Sequence, residues 1–347
     1  MTVDELVSKA RECNATDIHL IYGLPPKFRI DGVLESIGDT PLSIQDCEII
    51  AHNLAGSKYV EMEEIGELDL AGTYAGVRCR VHIFRQQGAP SVALRLLQDR
   101  IPKLETLGLP PAALKLPDLH KGIVLVTGET SSGKSTTLAA ILDHINHHMR
   151  CHIVTLEDPI EYLYHPDLCA INQREIGKDT RSFSDGVRAT LREDPNVILI
   201  GEMRDRDTIE TAIIAAETGH LVFATLHTGS ASDAVDRIVQ VFEEGKQTQI
   251  RLQLSMVLQA VVTQQLLPRK GGGRILACEM MIVTDAIRNL IRAGNTPQIV
   301  NAIATGGAIG NQSMDQCLIR MVRNGGITRE VALHYAHDKD YVKKNAV

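Results

Sequence analysis

The sequence has 347 residues, 44% of them hydrophobic and 23% charged, which is typical of a soluble protein with two domains. Its 36 basic and 43 acidic residues give a formal net charge of −7, which argues against sequence-independent nucleic-acid binding. No apolar run approaches the roughly 20 residues that cross a bilayer, and the N-terminus does not resemble a signal peptide. We therefore expect a cytoplasmic protein with no direct nucleic-acid ligand.

The first hundred residues predict a small α+β domain, which we place at 1–98. Thr2 and Glu5 form a capping-box pattern, and apolar residues follow it at helical spacing. Asp31 and Gly32 separate two strand-like runs and predict a hairpin turn, and Ser43 predicts the start of a second helix. The predicted strands are 17–20, 27–30, 33–37, 67–74, 77–84 and 91–97, and the second helix runs to residue 55.

A change of pattern marks the second domain. Prolines punctuate residues 99–114, which predicts an interdomain linker, and the domain itself is expected at 115–347. Apolar runs then alternate with helices, as in a covered parallel sheet whose functional loops follow the strands. The predicted strands are 123–127, 152–157, 197–201 and 221–226. From about residue 249 the pattern predicts helices, interrupted at 270–273 and 305–307, with a C-terminal helical bundle from about 270.

The loop after the first of these strands matches the phosphate-binding spacing G-x-x-x-x-G-K-[ST]. Backbone N–H groups of such a loop and the positive end of the following helix surround a polyphosphate. Lys134 is expected to reach the β and γ phosphates, and the Ser135 hydroxyl is expected to bind Mg²⁺. The predicted nucleotide-binding residues are Gly128, Glu129, Thr130, Ser131, Ser132, Gly133, Lys134, Ser135 and Thr136.

Acidic residues follow the next two predicted core strands. Glu157, Asp158 and Glu161 lie within five residues, and Glu202 ends the apolar run 197–201. An acidic cluster of this kind is either a solvated turn or, beside a phosphate-binding loop, a source of ligands for Mg²⁺ and water. The order of the elements favours the second interpretation, in which Glu202 lies near the Mg²⁺.

Histidines and arginines complete the set of candidates. His220 and His227 bracket a strand, and they are either hydrogen-bonded structural residues or γ-phosphate sensors. Arg237 is either solvated or a contact for phosphate or a neighbouring subunit. Three arginines of the first domain, Arg78, Arg80 and Arg95, are candidates for completing a neighbouring subunit's site in trans.

In this order, the motifs resemble those of the type IV pilus retraction ATPases of the type II/IV secretion superfamily. Residues 128–136 resemble the Walker A box, with Glu129 and Ser131 where the family usually has Pro and Gly. Residues 157–161 resemble the Asp box, whose last acid, Glu161, corresponds to the catalytic glutamate. Residues 197–202 and 218–228 resemble the Walker B and His boxes. The retraction motif corresponds to Ala286, Ile287, Arg288, Asn289, Leu290, Ile291 and Arg292, followed by Ala293 in place of the usual Glu.

The resemblance implies a PAS-like α+β N-terminal domain and a RecA-like P-loop domain of the α/β class. It further implies a homohexameric ring that hydrolyses ATP with Mg²⁺ and acts on an inner-membrane pilus platform protein, so that the pilus is retracted. Such a protein would lie at the inner face of the cytoplasmic membrane through its partners alone. The alternatives are a pilus-assembly, DNA-uptake or secretion ATPase, or a nucleotide-binding regulator that does not hydrolyse.

Overall fold

A computed structural model describes residues 2–30, 32–97 and 100–346. The predicted turn residue Asp31 and the first residue of the predicted linker, Asp99, lie outside the described residues. The chain divides into two units, the first comprising Met1–Arg100 with Pro159–Leu163, the second Ile101–Asp158 with Tyr164–Val347. Within the described ranges, every helix is too short or too polar to cross a lipid bilayer.

The described residues of the first unit form a six-stranded antiparallel sheet and three α-helices. The strands are β1 (Asp17–Leu20), β2 (Lys27–Ile30), β3 (Val33–Ser36), β4 (Glu67–Tyr74), β5 (Val77–Gln86) and β6 (Ala89–Leu96), in the spatial order β3-β2-β1-β6-β5-β4. The helices are α1 (Val3–Glu12), α2 (Ile44–Ala55) and α3 (Tyr59–Ile65). The sequence predicted every one of these elements except α3.

Period-two alternation along β5 places its arginines on one face of this sheet. Val77, Cys79, Val81 and Ile83 are buried in the hydrophobic core of the first unit. The residues between them therefore project from the opposite face, because successive side chains of a strand alternate in direction. This alternation puts Arg78 and Arg80 side by side on the polar face of the sheet.

In the second unit, residues 101–158 and 164–346 form a seven-stranded sheet that is parallel except for its last strand. The strands are β7 (Gly122–Thr127), β8 (His152–Glu157), β9 (Ala170–Glu175), β10 (Val197–Ile200), β11 (Leu221–Leu226), β12 (Leu258–Pro268) and β13 (Arg274–Ile282), in the spatial order β13-β12-β7-β11-β10-β8-β9. The four predicted strands β7, β8, β10 and β11 are neighbours, fully buried apart from the two ends of β8. Their carboxyl ends consequently meet at one edge of the sheet.

Ten helices of the second unit lie in the described residues. They are α4 (Lys134–His148), α5 (Phe183–Thr190), α6 (Arg206–Glu217), α7 (Ala231–Gln240), α8 (Glu244–Val257), α9 (Asp285–Ala293), α10 (Pro297–Thr305), α11 (Met314–Arg323), α12 (Arg329–Tyr335) and α13 (Lys339–Asn345). Short 3₁₀ turns occur at Gly56–Lys58, Leu104–Thr106, Ala113–Asp118 and Gly307–Ile309.

Two stretches differ from the sequence expectation. The helices expected from residue 249 onward are wrong over 258–282, where β12 and β13 form a hairpin around the glycine-rich turn at 270–273. The apolar run of β12 pairs with β7 and is buried there, and tertiary pairing overrides a local helical pattern. The proline-punctuated stretch from Ile101 onward belongs to the second unit, in which Leu104 and Leu109 are buried. The C-terminal helices begin at Asp285.

A buried carboxylate joins two helices to the edge strand β13. Glu279 accepts hydrogen bonds from the backbone N–H of Ala231 at 2.7 Å and of Met314 at 3.4 Å, the first residues of α7 and α11. Burial raises the pKa of Glu279, although the two N–H donors partly offset that effect. These donors are among those that a helix leaves unpaired at its N-terminus, so Glu279 satisfies groups that would otherwise be buried alone.

Replacing Glu279 by Ala should lower the free energy of unfolding by about 2 kcal/mol or more, because two helix N–H groups lose their acceptor. Glu279→Gln retains an acceptor oxygen and should lower the free energy of unfolding by less than Glu279→Ala does. The raised pKa means that the folded protein binds the proton more tightly. The stability of the wild type relative to Glu279→Gln should therefore fall as the pH rises through the folded-state pKa. Urea denaturation at several pH values measures both effects, and equal losses for Ala and Gln would contradict the assignment.

Candidate functional site

The phosphate-binding loop lies at the carboxyl edge of the second sheet, between β7 and α4. Gly128 has a φ of 139°, and a Cβ atom there would lie 2.4 Å from the backbone oxygen of Gln264 on β12. Gly133 has a φ of 95° and caps the N-terminus of α4. Only glycine satisfies both the close approach at Gly128 and the left-handed backbone at Gly133.

Polar groups of this loop face inward. The Lys134 side chain is buried, and its Nζ donates to the backbone oxygens of Gly128 at 2.7 Å and Glu129 at 2.8 Å. The Ser132 hydroxyl is buried without a hydrogen-bond partner among the described residues. Buried ammonium and hydroxyl donors next to a helix N-terminus are the groups that a polyphosphate requires. The loop therefore fits the phosphates of a nucleotide.

Ser131 occupies the loop position where the resemblance leads us to expect glycine. Its φ is 64°, in the left-handed region that costs a residue with a side chain roughly 1–2 kcal/mol. Its side chain is exposed, so it has room despite the backbone strain. Glu129 and Thr130 are exposed as well, and Ser135 and Thr136 lie in the first turn of α4, where the Ser135 hydroxyl is exposed.

Glu202 follows β10 and lies beside an arginine and a histidine at the same edge. Its carboxylate lies 2.7 Å from Nη2 of Arg204 and 3.4 Å from Nε2 of His227. Burial alone would raise the pKa of Glu202, but Arg204, His227 and Lys134 together hold that pKa below its usual range. Glu202 is therefore a carboxylate at neutral pH, with His227 3.4 Å away and Lys134 close enough to influence its pKa.

Glu157 ends β8, which is separated from the loop strand β7 by β11 and β10. Its Oε1 accepts from the Thr155 hydroxyl at 2.7 Å and from Nε2 of Gln173 at 3.2 Å. Asp158 is exposed, and its charge contributes with Glu202 to a raised pKa of Arg204. Glu157 is thus fixed by hydrogen bonds from its neighbours, whereas Asp158 is exposed to solvent.

His220 and Arg237 are not brought to this edge. His220 precedes β11 at the opposite end of the strand from His227, and its Nδ1 lies 2.9 Å from the backbone oxygen of Ala215 and 3.2 Å from the Thr218 hydroxyl. These contacts match the hydrogen-bonded structural interpretation. Arg237 is exposed in the last turn of α7.

The remaining candidates near the Asp box belong to the first unit. Glu161 lies in Pro159–Leu163, which groups with that unit, and its Oε1 is 3.6 Å from Nη2 of Arg80. Arg78 donates from Nε to the backbone oxygen of Ile160 at 3.3 Å. Arg95 donates from Nε to Oδ1 of Asp17 at 2.9 Å. The Asp box is therefore divided, with Glu157 and Asp158 in the second unit and Glu161 in the first.

The retraction motif forms α9, and its residues divide into two sets. Ile287 and Ile291 are buried, and Leu290 is partly buried against the same core. Arg288 donates hydrogen bonds to the backbone oxygens of Ser255 and Met256 in the last turn of α8. The second set, Ala286, Asn289 and Arg292, is exposed. An arginine near a helix C-terminus pairs favourably with unpaired carbonyls, so the first set holds α9 in place. The second set remains available to a partner.

Sequence reasoning missed Gln264 as a part of the site and did not identify Arg204 as the partner of Glu202. Gln264 is fully buried on β12 and donates from Nε2 to the Thr137 hydroxyl of α4 at 2.7 Å. Two adjacent amides, Gln264 and Gln265, interrupt an otherwise apolar run, and that interruption was an available signal. For Arg204 the signal was its position two residues after Glu202.

Comparison with known proteins places this geometry in a family. A family model described as "Type II/IV secretion system protein" matches residues 1–325. The chain belongs to this family. It is 44% identical over 334 residues to the "Type IV pilus retractation ATPase PilT" of Pseudomonas aeruginosa, a match covering 96% of this chain and 97% of that protein. It is 46% identical over 264 residues to a "Twitching motility protein" of Neisseria gonorrhoeae, covering 76% of this chain and 71% of that protein.

A solved structure agrees with these relatives. The crystal structure of "the Pilus Retraction Motor PilT and Bound ADP" matches with a TM-score of 0.93 and 43% identity, covering 99% of both chains. The predicted family resemblance is therefore confirmed, together with the predicted N-terminal domain and RecA-like ATPase domain. The P-loop ATPase class and the use of a nucleotide are confirmed on the same grounds.

Ser131→Val should raise the Kd for ADP about fivefold or more, because a β-branched residue is strongly disfavoured at a φ of 64°. Ser131→Gly should bind ADP at least as tightly as the wild type, since it adopts this φ without strain. Isothermal titration calorimetry with ADP measures the Kd of both variants and of the wild type. Equal affinities of the Val and Gly variants would show that the loop does not need this conformation to bind.

Proposed function

We propose that this chain is the ATP-hydrolysing motor of type IV pilus retraction and works as a homohexameric ring. The observation that carries the proposal is its full-length likeness to a pilus retraction motor with an intact phosphate-binding loop. The exposed retraction-motif residues on α9 support the same function. The ring, its platform-protein partner and its place at the inner face of the cytoplasmic membrane are parts of this proposal.

The second unit binds the nucleotide. Backbone N–H groups of residues 128–136 surround the phosphates, and Lys134 exchanges its contacts with the loop carbonyls for the β and γ phosphates. Ser135 and Glu202 offer the oxygen ligands that Mg²⁺ prefers, and this ion neutralises phosphate charge when it is bound. Glu202 can serve in this way because its lowered pKa keeps it ionised.

Hydrolysis needs a group that orients the attacking water, and we assign Glu161 to it. His227, paired with Glu202, is the residue of this edge that can respond to the γ phosphate. An imidazole that gains a phosphate contact loses or weakens its contact with Glu202, which links the nucleotide state to the end of β11. Arg95 is the candidate for contact with a neighbouring subunit's nucleotide.

Lys134→Ala should weaken ATP binding and abolish turnover, because the only side-chain ammonium of the loop is removed. Glu202→Ala should retain binding and lower kcat about 100-fold or more, because it acts on Mg²⁺ and on developing charge. Nucleotide titration and steady-state ATP hydrolysis measure the two effects. If the wild type hydrolysed ATP no faster than Lys134→Ala, the chain would be a non-hydrolysing regulator.

Arg292→Ala and Asn289→Ala should keep ATP turnover while abolishing pilus retraction, because both side chains are exposed on α9 and are free for a partner. Arg320→Ala, at an exposed position of α11, is the matched control and should leave both activities intact. Ile291→Ala removes a fully buried side chain and should destabilise the fold by about 2–5 kcal/mol. Twitching and ATPase assays separate these outcomes, and loss of turnover in Arg292→Ala would give this residue a structural role.

A further inference from the structure

The assigned water-orienting glutamate is attached to the first unit of the chain. The chain leaves the second unit after Asp158, contributes Pro159–Leu163 to the first unit and returns at Tyr164. Ile160 and Tyr162 are buried with exposures of 7% and 8%, so the peptide is anchored on both sides of Glu161. The phosphate-binding loop and Glu202 remain in the second unit.

Two neighbouring arginines of β5 hold this segment. Arg78 binds its backbone through the oxygen of Ile160, and Arg80 binds its carboxylate, with Nη2 of Arg80 3.6 Å from Oε1 of Glu161. Because the two arginines are separated by two positions on one strand, they project from the same face. The backbone and the carboxylate of the segment are thus held by the same strand.

We propose that Arg80 is a positioning residue for Glu161 of its own subunit, with Arg78 as the backbone anchor. The carboxylate that orients water is then held by residues of the first unit, whereas the phosphate-binding loop belongs to the second. Loss of Arg80 should therefore lower turnover without weakening nucleotide binding. This inference rests on the proposed function.

The competing assignment is that Arg80 completes a neighbouring subunit's site. The geometry favours the assignment within one subunit, because the guanidinium of Arg80 already faces the carboxylate of its own chain. Arg95 differs, since its partner Asp17 lies outside the Asp box. Arg80 and Arg95 are therefore expected to behave differently in mixed oligomers.

The ion pair contributes little to folding. The Arg80 and Glu161 side chains are 41% and 33% exposed, and exposed pairs of this kind are worth little in stability. A purely structural pair would thus leave turnover unchanged, whereas a positioning pair affects catalysis without changing the melting temperature. Small displacements of a reacting group have large effects on rate.

Arg80→Ala should lower kcat for ATP at least about tenfold with KM and the melting temperature unchanged, because the carboxylate is misplaced while the nucleotide site is intact. Arg80→Lys should recover part of the loss, since it restores the charge but not the guanidinium geometry. Arg85→Ala is the matched control, since Arg85 also lies on β5 and pairs with an acid, Glu63, at 3.3 Å. In a Glu161→Gln background, Arg80→Ala should have little further effect on kcat.

Mixed oligomers decide between the two assignments of Arg80. Arg80→Ala and Glu161→Gln chains carrying different affinity tags are co-expressed, and assemblies that retain both tags are isolated. If Arg80 acts within its own subunit, no site in these assemblies is complete and turnover stays low. Recovery of turnover would overturn the proposal, because an intact Arg80 on one chain would then have served Glu161 of another.

Failure of this inference is distinguishable from failure of the proposed function. Wild-type turnover in Glu161→Gln would remove the catalytic assignment of Glu161 itself. Loss of turnover in Glu161→Gln with an unchanged kcat in Arg80→Ala would leave the function standing and refute the positioning role. An equal loss in Arg80→Ala and Arg85→Ala would also refute it, since the effect would then not be specific to Glu161.

Discussion

The close approach of Gly128 to the carbonyl of Gln264 is the constraint on which the nucleotide site depends. A Cβ atom at residue 128 would lie 2.4 Å from that oxygen, so the loop can pass this close to the neighbouring strand β12 only with glycine at this position. The same strand holds α4 through the bond from Gln264 to Thr137, and it pairs Thr263 with Thr127 at 2.8 Å. Strand β12 thus shapes a loop that lies far from it in the sequence, since 130 positions separate Gly128 from Leu258, the first residue of β12.

Two acids, Glu202 and Glu161, differ in their electrostatic surroundings. Glu202 lies among Arg204, His227 and Lys134, which overcome the cost of its burial and keep it ionised. Glu161 lies on the first unit beside Arg80, at a partly exposed ion pair of modest energy. Glu202 is therefore held by several charged neighbours, whereas Glu161 is held by one partly exposed ion pair.

Local sequence patterns accounted for much of the fold and of the site. The phosphate-binding loop, Glu202 and His227 each follow an apolar run, and parallel strands bring such loops to one edge. Edge strand β9 escaped prediction because only two of its six residues, Ala170 and Ile171, are apolar. Strands β12 and β13 escaped it because pairing with β7 and with each other, rather than local propensity, selects the extended conformation there.

The sequence by itself determined the chemistry: a glycine-bounded loop, a lysine, a hydroxyl and acids in the order of a P-loop ATPase. That order is visible in the sequence because each group must lie a fixed number of residues after the strand that precedes it. The partners of these groups were decided only by the tertiary structure. Arg80 faces Glu161 and Arg288 caps α8 through contacts between residues that lie far apart in the sequence. His220 and His227 flank the same strand, and its six extended residues place them at opposite ends of that strand.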